Sequence, residues 1–157
     1  MGNDLKTLFL SLVLANAVSA EGFLYGSGKD KVAWSEEELV CVARTIYHEA
    51  RGEPAEGQIA VAESVFNRAA SGFWPSNLCA VVFQPWQYSW THEVEGIETD
   101  EKAYQQAISI AYGVAIGAYS SRCYDNNHYH TWWISPEWSE GLEPCVIGNH
   151  YFFSFGN

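Results

Sequence analysis

Apolar residues at Leu39, Val42, Ala43, Ile46 and Ala50 recur at the three- and four-residue intervals of a single helix face. Ser35 stands ahead of them with Glu38 three positions on, the capping-box arrangement in which each side chain satisfies the other's backbone N–H. Glu36, Glu37 and Glu38 also place negative charge at the positive end of the helix dipole. The pattern predicts a helix to about Arg51, stopped by Gly52 and Pro54. A second stripe of Ile59, Ala62, Val65, Phe66 and Ala69 predicts a helix over 54–70, and residues 77–83 suit a short third one. Residues 84–98, with Pro85 and Gly96, read as a loop with room for a strand. Thr99 is placed to cap a longer helix reaching about Ser120, on which Ala103, Ala107, Ile110, Ala111, Val114 and Ala118 are small enough for close helix packing. Past Arg122 the helical period gives way to aromatic, β-prone pieces around 128–134 and 150–155. No internal repeat interrupts the order. The pattern is that of one mainly helical α+β domain over 35–157, with a small β-rich flap from its C-terminal third.

The first residues stand apart from this period. Lys6 and the terminal amine lead into Leu8-Phe9-Leu10-Ser11-Leu12-Val13-Leu14, and Val18-Ser19-Ala20 offers a small-residue cleavage site. Residues 1–20 therefore read as a signal peptide and 21–34 as a short, Gly- and polar-rich leader. The apolar run is too short to span a bilayer, which argues for export without stable membrane insertion. The net charge of -11 argues against nucleic acid, whose affinity comes largely from Lys and Arg neutralising phosphates, and against adhesion to anionic membranes. Aromatic residues make up 15% of the chain and seven are Trp, more than a core of this size needs. Such rings suit either packing or stacking on the apolar faces of sugars.

Cys41, Cys79, Cys123 and Cys145 fit an exported protein in an oxidising compartment. None forms a C-x-x-C pair, so zinc-ribbon and thioredoxin readings are poor. Four cysteines allow three pairings; Cys41 with Cys79 and Cys123 with Cys145 is favoured, because each bond would tie neighbouring segments.

Candidate chemistry sits at the end of the first helix. In Tyr47-His48-Glu49-Ala50-Arg51-Gly52-Glu53-Pro54, one carboxylate, Glu49, closes an otherwise apolar run. Burial there favours the neutral form and raises the pKa, as a general acid working near neutrality requires. An Arg51 guanidinium close by would oppose this, so Arg51 is expected to point away, supporting the helix end and pairing with Glu53.

The motif resembles that of the SleB/CwlJ-type cell-wall hydrolases, and the likeness continues through Gln58, Asn67-Arg68 and Phe73-Trp74-Pro75. It extends over Val81-Val82-Phe83-Gln84-Pro85-Trp86-Gln87-Tyr88-Ser89-Trp90, then Asn127-His128-Tyr129-His130, Pro136-x-Trp138 and Ile147-Gly148-Asn149-His150-Tyr151-Phe152. Asn127 stands where that family commonly has Thr, and Trp132-Trp133 is unusually heavy. The resemblance implies a lysozyme-like domain acting on the glycan strands of peptidoglycan. It makes Glu49 the catalytic residue and lines the cleft with Gln87, Ser89, Trp90, His128 and Tyr129, where Trp90 and Tyr129 offer stacking faces. It implies no cofactor and no metal, a monomer, and a place in the periplasm, outside the cell, or in virus-encoded lysis. Tyr47 and Asn67 read as internal supports, His130 and His150 as structural, and Glu93, Glu95 and Glu98 as solvated charges.

Rival chemistries are weaker. His48-Glu49 begins an H-E-x-x-H zinc motif, but Gly52 occupies the second His position. His128-x-His130 would need a third ligand such as His92, His150 or Asp125 for a zinc amidase or peptidase. No second carboxylate stands out in a motif, so a single-acid lytic transglycosylase is preferred to a two-carboxylate muramidase. A glycan-binding module without turnover is the alternative from a different class.

Overall fold

The computed structural model describes residues 23–25, 32–93 and 98–156. The expected signal peptide lies outside the described residues, as do the side chains of Glu93 and Glu95.

Five α-helices are described: α1 (Glu36–Ala50), α2 (Ala55–Ala70), the short α3 (Leu78–Val82) and α4 (Trp90–Glu93), and α5 (Glu101–Ala115). Two small antiparallel sheets accompany them. Strand β1 (Phe23–Tyr25) pairs with β2 (Val32–Trp34), inside the stretch that reads as leader. Strands β3 (His128–Thr131), β4 (Cys145–Ile147) and β5 (His150–Phe153) form a sheet of order β3-β5-β4. The domain is thus mainly helical with a small C-terminal sheet, as the periodicity predicts. No helix among the described residues is long and apolar enough to cross a membrane.

Local sequence explains the helix ends. Both halves of the Ser35–Glu38 capping box are formed, at 3.0 and 3.2 Å. The second Glu38 oxygen accepts the Leu78 N–H at the start of α3 (3.0 Å), so one carboxylate serves two helix ends. Asn77 caps α3 through Ala80 N. The α5 cap differs from expectation: Asp100, not Thr99, accepts the Ala103 N–H at 3.0 Å, while its own N–H is held by Tyr47 Oη at 3.0 Å. The helix also ends earlier than Ser120. Gly117 takes a left-handed backbone (φ +74), and the Ala118 and Tyr119 N–H groups fold back on Gly113 O. Ala118 consequently lies exposed beyond the packing stripe. The 84–98 loop holds α4 and no strand among its described residues.

Leu39, Val42 and Ile46 of α1, Val61, Val65 and Phe66 of α2 and Val114 of α5 are fully buried together, with Trp34 of β2 against Phe66 at a ring separation of 6.0 Å. At about 25 cal/mol per Å² of apolar area, such burial is the main stabilising term. The two expected disulfides are present, Cys41–Cys79 joining α1 to α3 and Cys123–Cys145 joining the pre-β3 turn to β4.

The sheet docks on α2 through backbone carbonyls. Asn67 Nδ2 donates to Tyr124 O (2.8 Å) and Asn126 O (2.7 Å), and Arg68 Nε donates to Asn127 O (2.6 Å). Asn126 Nδ2 returns a bond to Ala60 O at 3.0 Å. The support roles expected of Tyr47 and Asn67 are those observed.

Candidate active site

Glu49 occupies the last turn of α1, partly buried, where the helix meets the sheet. The Tyr129 hydroxyl of β3 reaches its Oε2 at 3.4 Å. Burial raises the Glu49 pKa above the ordinary carboxylate value, and the Tyr129 bond opposes the rise only in part. The carboxyl therefore keeps a proton to higher pH than a solvated Glu.

Strand geometry decides which neighbours share this face. Side chains alternate across a strand, so Tyr129 and Thr131 face one way and His128 and His130 the other. The register pairs Tyr129 with Phe152 and Thr131 with His150, putting that set on the side of Glu49 and the helical core. The same register pairs His128 with Phe153 and His130 with Tyr151 on the outer face. There Trp138 packs on both histidine rings, at 5.3 and 5.5 Å, and Trp74 and Phe155 enclose His128 further. Burial, with help from the Arg68 cation, lowers the His128 pKa to about 4. His128 is thus a neutral ring on the opposite face of the sheet from Tyr129, so these two residues, both expected to line the cleft, do not share a face. No group of three or more His, Cys, Asp or Glu among the described residues is arranged to hold a metal ion.

Trp90 requires a similar correction. It is 4% exposed, stacked on His48 at 4.6 Å and 16°, with the Arg44 guanidinium 5.3 Å from its ring. Its faces are used by the protein. Gln87 is half-buried and Ser89 exposed, flanking Tyr88, which is buried. The loop's exposed ring is instead Trp86, 90% exposed and held in a left-handed backbone at φ 65, a conformation that disfavours residues other than Gly, Asn or Asp.

The loop contributes to the site from inside. Burial raises the Tyr88 phenol pKa; the Arg68 cation opposes the shift and the Glu49 charge adds to it. Burial and the Glu49 charge likewise hold Tyr129 well above the ordinary phenol value, with Arg68 opposing. Glu49, Tyr129, Tyr88 and the buried Arg68 therefore form one electrostatic group. Tyr88 and Arg68 were not legible as site residues. Alternation of Gln87 and Ser89 around Tyr88 was the available signal, since a loop with polar flanks turns its middle side chain inward.

The other buried or half-buried carboxylates are occupied. Glu63 is 2% exposed and accepts from Ser120 Oγ (2.9 Å), Ser121 N (3.0 Å) and Ser121 Oγ (2.5 Å). Glu98, expected as a solvated charge, is gripped by Arg44 Nε (2.9 Å) and His48 Nε2 (3.1 Å). Glu53 does not pair with Arg51; it accepts Asn149 N and Nδ2 at 2.8 and 2.9 Å. Arg51 lies exposed with its guanidinium 4.9 Å from the Tyr47 ring centre, leaving Glu49 without a cation of its own motif. Glu49 thus differs from Glu53 and Glu98, whose pKa values are lowered, and from Glu63, whose pKa burial also raises but which is held by three donors: the Glu49 pKa is raised and its one described hydrogen bond is long.

Comparison with known proteins supplies the lineage. Residues 52–153 match the family described as Cell Wall Hydrolase, a stretch that begins just after Glu49. Spore cortex-lytic enzymes are similar: that of Oceanobacillus iheyensis is 34% identical over 83 residues, covering 51% of this chain and 29% of the relative. That of Bacillus subtilis is 40% identical over 52 residues, 33% of this chain and 17% of the relative. The chain thus matches less than a third of these relatives' length. Among solved structures, the catalytic domain of Bacillus cereus SleB superposes with a TM-score of 0.63 at 23% identity, over 81% of this chain and 98% of that domain. The catalytic domain of Bacillus anthracis SleB, described as a germination-specific lytic transglycosylase, gives 0.60 at 25% identity, over 76% and 95%. The shared fold is lysozyme-like. With well over half of its length in the family match, this chain belongs to the cell wall hydrolases.

Proposed function

We propose that the chain cleaves peptidoglycan glycan strands at the β-1,4 bond between N-acetylmuramic acid and N-acetylglucosamine, as a lytic transglycosylase with Glu49 as its single acid and base. The observation that carries this is the state of Glu49: desolvated and raised in pKa at the junction of helix and sheet, while Glu53, Glu63 and Glu98 are committed to donors. A protonated carboxyl delivers its proton to the glycosidic oxygen as the bond from that oxygen to the muramic C1 breaks. The resulting Glu49 carboxylate then takes the proton of the muramic 6-hydroxyl as that oxygen bonds C1. The products are a 1,6-anhydro end and a free glucosamine 4-hydroxyl. No water is consumed and Glu49 finishes protonated.

A two-carboxylate hydrolase needs a second free carboxylate near the scissile bond, and Glu53 and Glu98 are both engaged. The relative described as a lytic transglycosylase favours the same reading. Sugar contacts fall to Gln87 and Ser89, with the exposed Trp86 ring taking the stacking role expected of Trp90.

Digestion of purified peptidoglycan followed by mass spectrometry tests the reading. Anhydromuramic ends are expected. Reducing ends would show hydrolysis by water, and absence of released fragments would show a binding module. Full activity in Glu49→Gln would end both enzymatic versions.

A further inference from the structure

Glu53 lies one helical turn beyond Glu49 in sequence, past the end of α1, and its carboxylate reaches the turn between β4 and β5. Both of its oxygens are used by a single residue: Oε2 accepts the Asn149 backbone N–H and Oε1 the Asn149 side-chain amide. His150 Nδ1 approaches Oε2 at 3.8 Å. The turn is shaped to admit the carboxylate. Gly148 has φ +56, and a Cβ there would collide with Glu53 Oε2 and press on Pro54. Burial works against the charge, but the Asn149 bonds and His150 outweigh it, so Glu53 stays ionised below the ordinary carboxylate value.

From this clamp a short path leads to the reacting group. The His150 ring contacts the Tyr129 ring at 5.4 Å, edge to face, and Tyr129 donates to Glu49. The remaining ties between sheet and helices reach α2 instead: Arg122 to Glu56, and Asn67 and Arg68 to the 124–127 carbonyls. Among the described residues, Glu53 joins the Tyr129–Glu49 bond itself in tying the Glu49 end of the helical layer to the sheet.

We propose that Glu53 is a positioning residue, which clamps the Gly148–Asn149 turn so that the sheet holds the Tyr129 hydroxyl on the Glu49 carboxyl. In catalysis this rests on the transglycosylase reading above; the clamp itself does not. Misplacing a catalytic group by about 1 Å can cost on the order of 100-fold in rate. Partial loosening by Glu53→Gln is expected to lower kcat by about 10-fold, with KM within about 2-fold of the parent. Gly148→Ala removes the seat for the carboxylate while leaving every charge in place, and should do the same. The losses from Glu53→Gln and Tyr129→Phe should combine less than additively, because both act through one hydroxyl.

An NMR titration of carboxyl-labelled Glu49 supplies a readout independent of turnover. Tyr129→Phe removes a bond that lowers the Glu49 pKa, so the pKa should rise further, and Gly148→Ala should shift it in the same direction. Should Gly148→Ala fold too poorly, Asn149→Ala removes half of the clamp with the same prediction. Normal kcat and an unmoved Glu49 titration in folded variants would overturn the proposal, as would strictly additive losses. If the parent releases no glycan fragments, the transglycosylase reading fails, and the NMR titration still decides the clamp.

Discussion

At Glu49 the demands of folding and of the proposed acid catalysis pull in opposite directions. Its pKa is raised by burial from the ordinary value of 4.5. Below 4.5 the group is neutral in both folded and unfolded chains and takes nothing from stability. As the pH climbs past 4.5, the unfolded chain releases this proton first, so folding loses ground until the folded group also ionises. Glu49→Gln should therefore raise Tm at pH 7–8, with the gain shrinking to nothing near pH 4. It should also lower kcat by about 100- to 10,000-fold, the range supplied by a positioned acid. Thermal melts across pH, paired with turnover, check both halves. Trp86 carries a second such conflict. Its ring is almost wholly in solvent while its backbone sits in the left-handed region, which costs on the order of 1 kcal/mol for a residue other than glycine. Trp86→Gly should hold or raise Tm and weaken retention on insoluble peptidoglycan, measured in the Glu49→Gln background. Lost stability with unchanged retention would make Trp86 a packing residue.

At the scale of elements, α2 is the platform, and its polar face does more than periodicity reveals. Glu63 belongs to neither apolar stripe, yet its carboxylate gathers three donors from Ser120 and Ser121 and fixes the chain as it leaves α5. Glu63→Ala would strand the two buried Ser121 donors, at about 1–3 kcal/mol for each group left unsatisfied. A loss of about 2–4 kcal/mol is expected in urea unfolding, with KM little changed in the folded fraction. The elements themselves were largely legible. Stripes such as Leu39–Val42–Ile46 and the Ser35–Glu38 box act within one helix, so their consequences are written in neighbouring residues. What escaped depends on distant partners. Tyr47 of α1 helps fix Asp100 as the α5 cap, and β4 was missed because a three-residue strand gains its identity from β5.

Across the whole molecule, the candidate site was legible where the motif is contiguous and illegible where it is assembled. Glu49 could be read from its own helix. The fates of His128 and Trp90 follow from β3 register and from the Arg44–Glu98–His48 cluster, neither of which any local window contains. Long-range ties therefore decide whether the site exists, and the disulfides provide the clearest way to separate them. Chain-entropy arithmetic gives about 3–4 kcal/mol to each bond, for sequence separations of 38 and 22 residues. Equal stabilisation does not mean equal function. Cys41–Cys79 joins α1 to α3, and α1 has its own packing against α2 and α5. Cys123–Cys145 anchors β4, and β4 pairs with β5, which pairs with the strand that carries Tyr129. Replacing Cys123 and Cys145 by Ser should thus lower kcat well before the protein melts, by loosening the sheet against Glu49. Replacing Cys41 and Cys79 should lower Tm comparably and leave kcat near normal at temperatures where the fold is intact. Turnover measured about 20 °C below each variant's Tm separates the two. Equal losses of kcat would mean that the sheet keeps its place on α2 without the second bond.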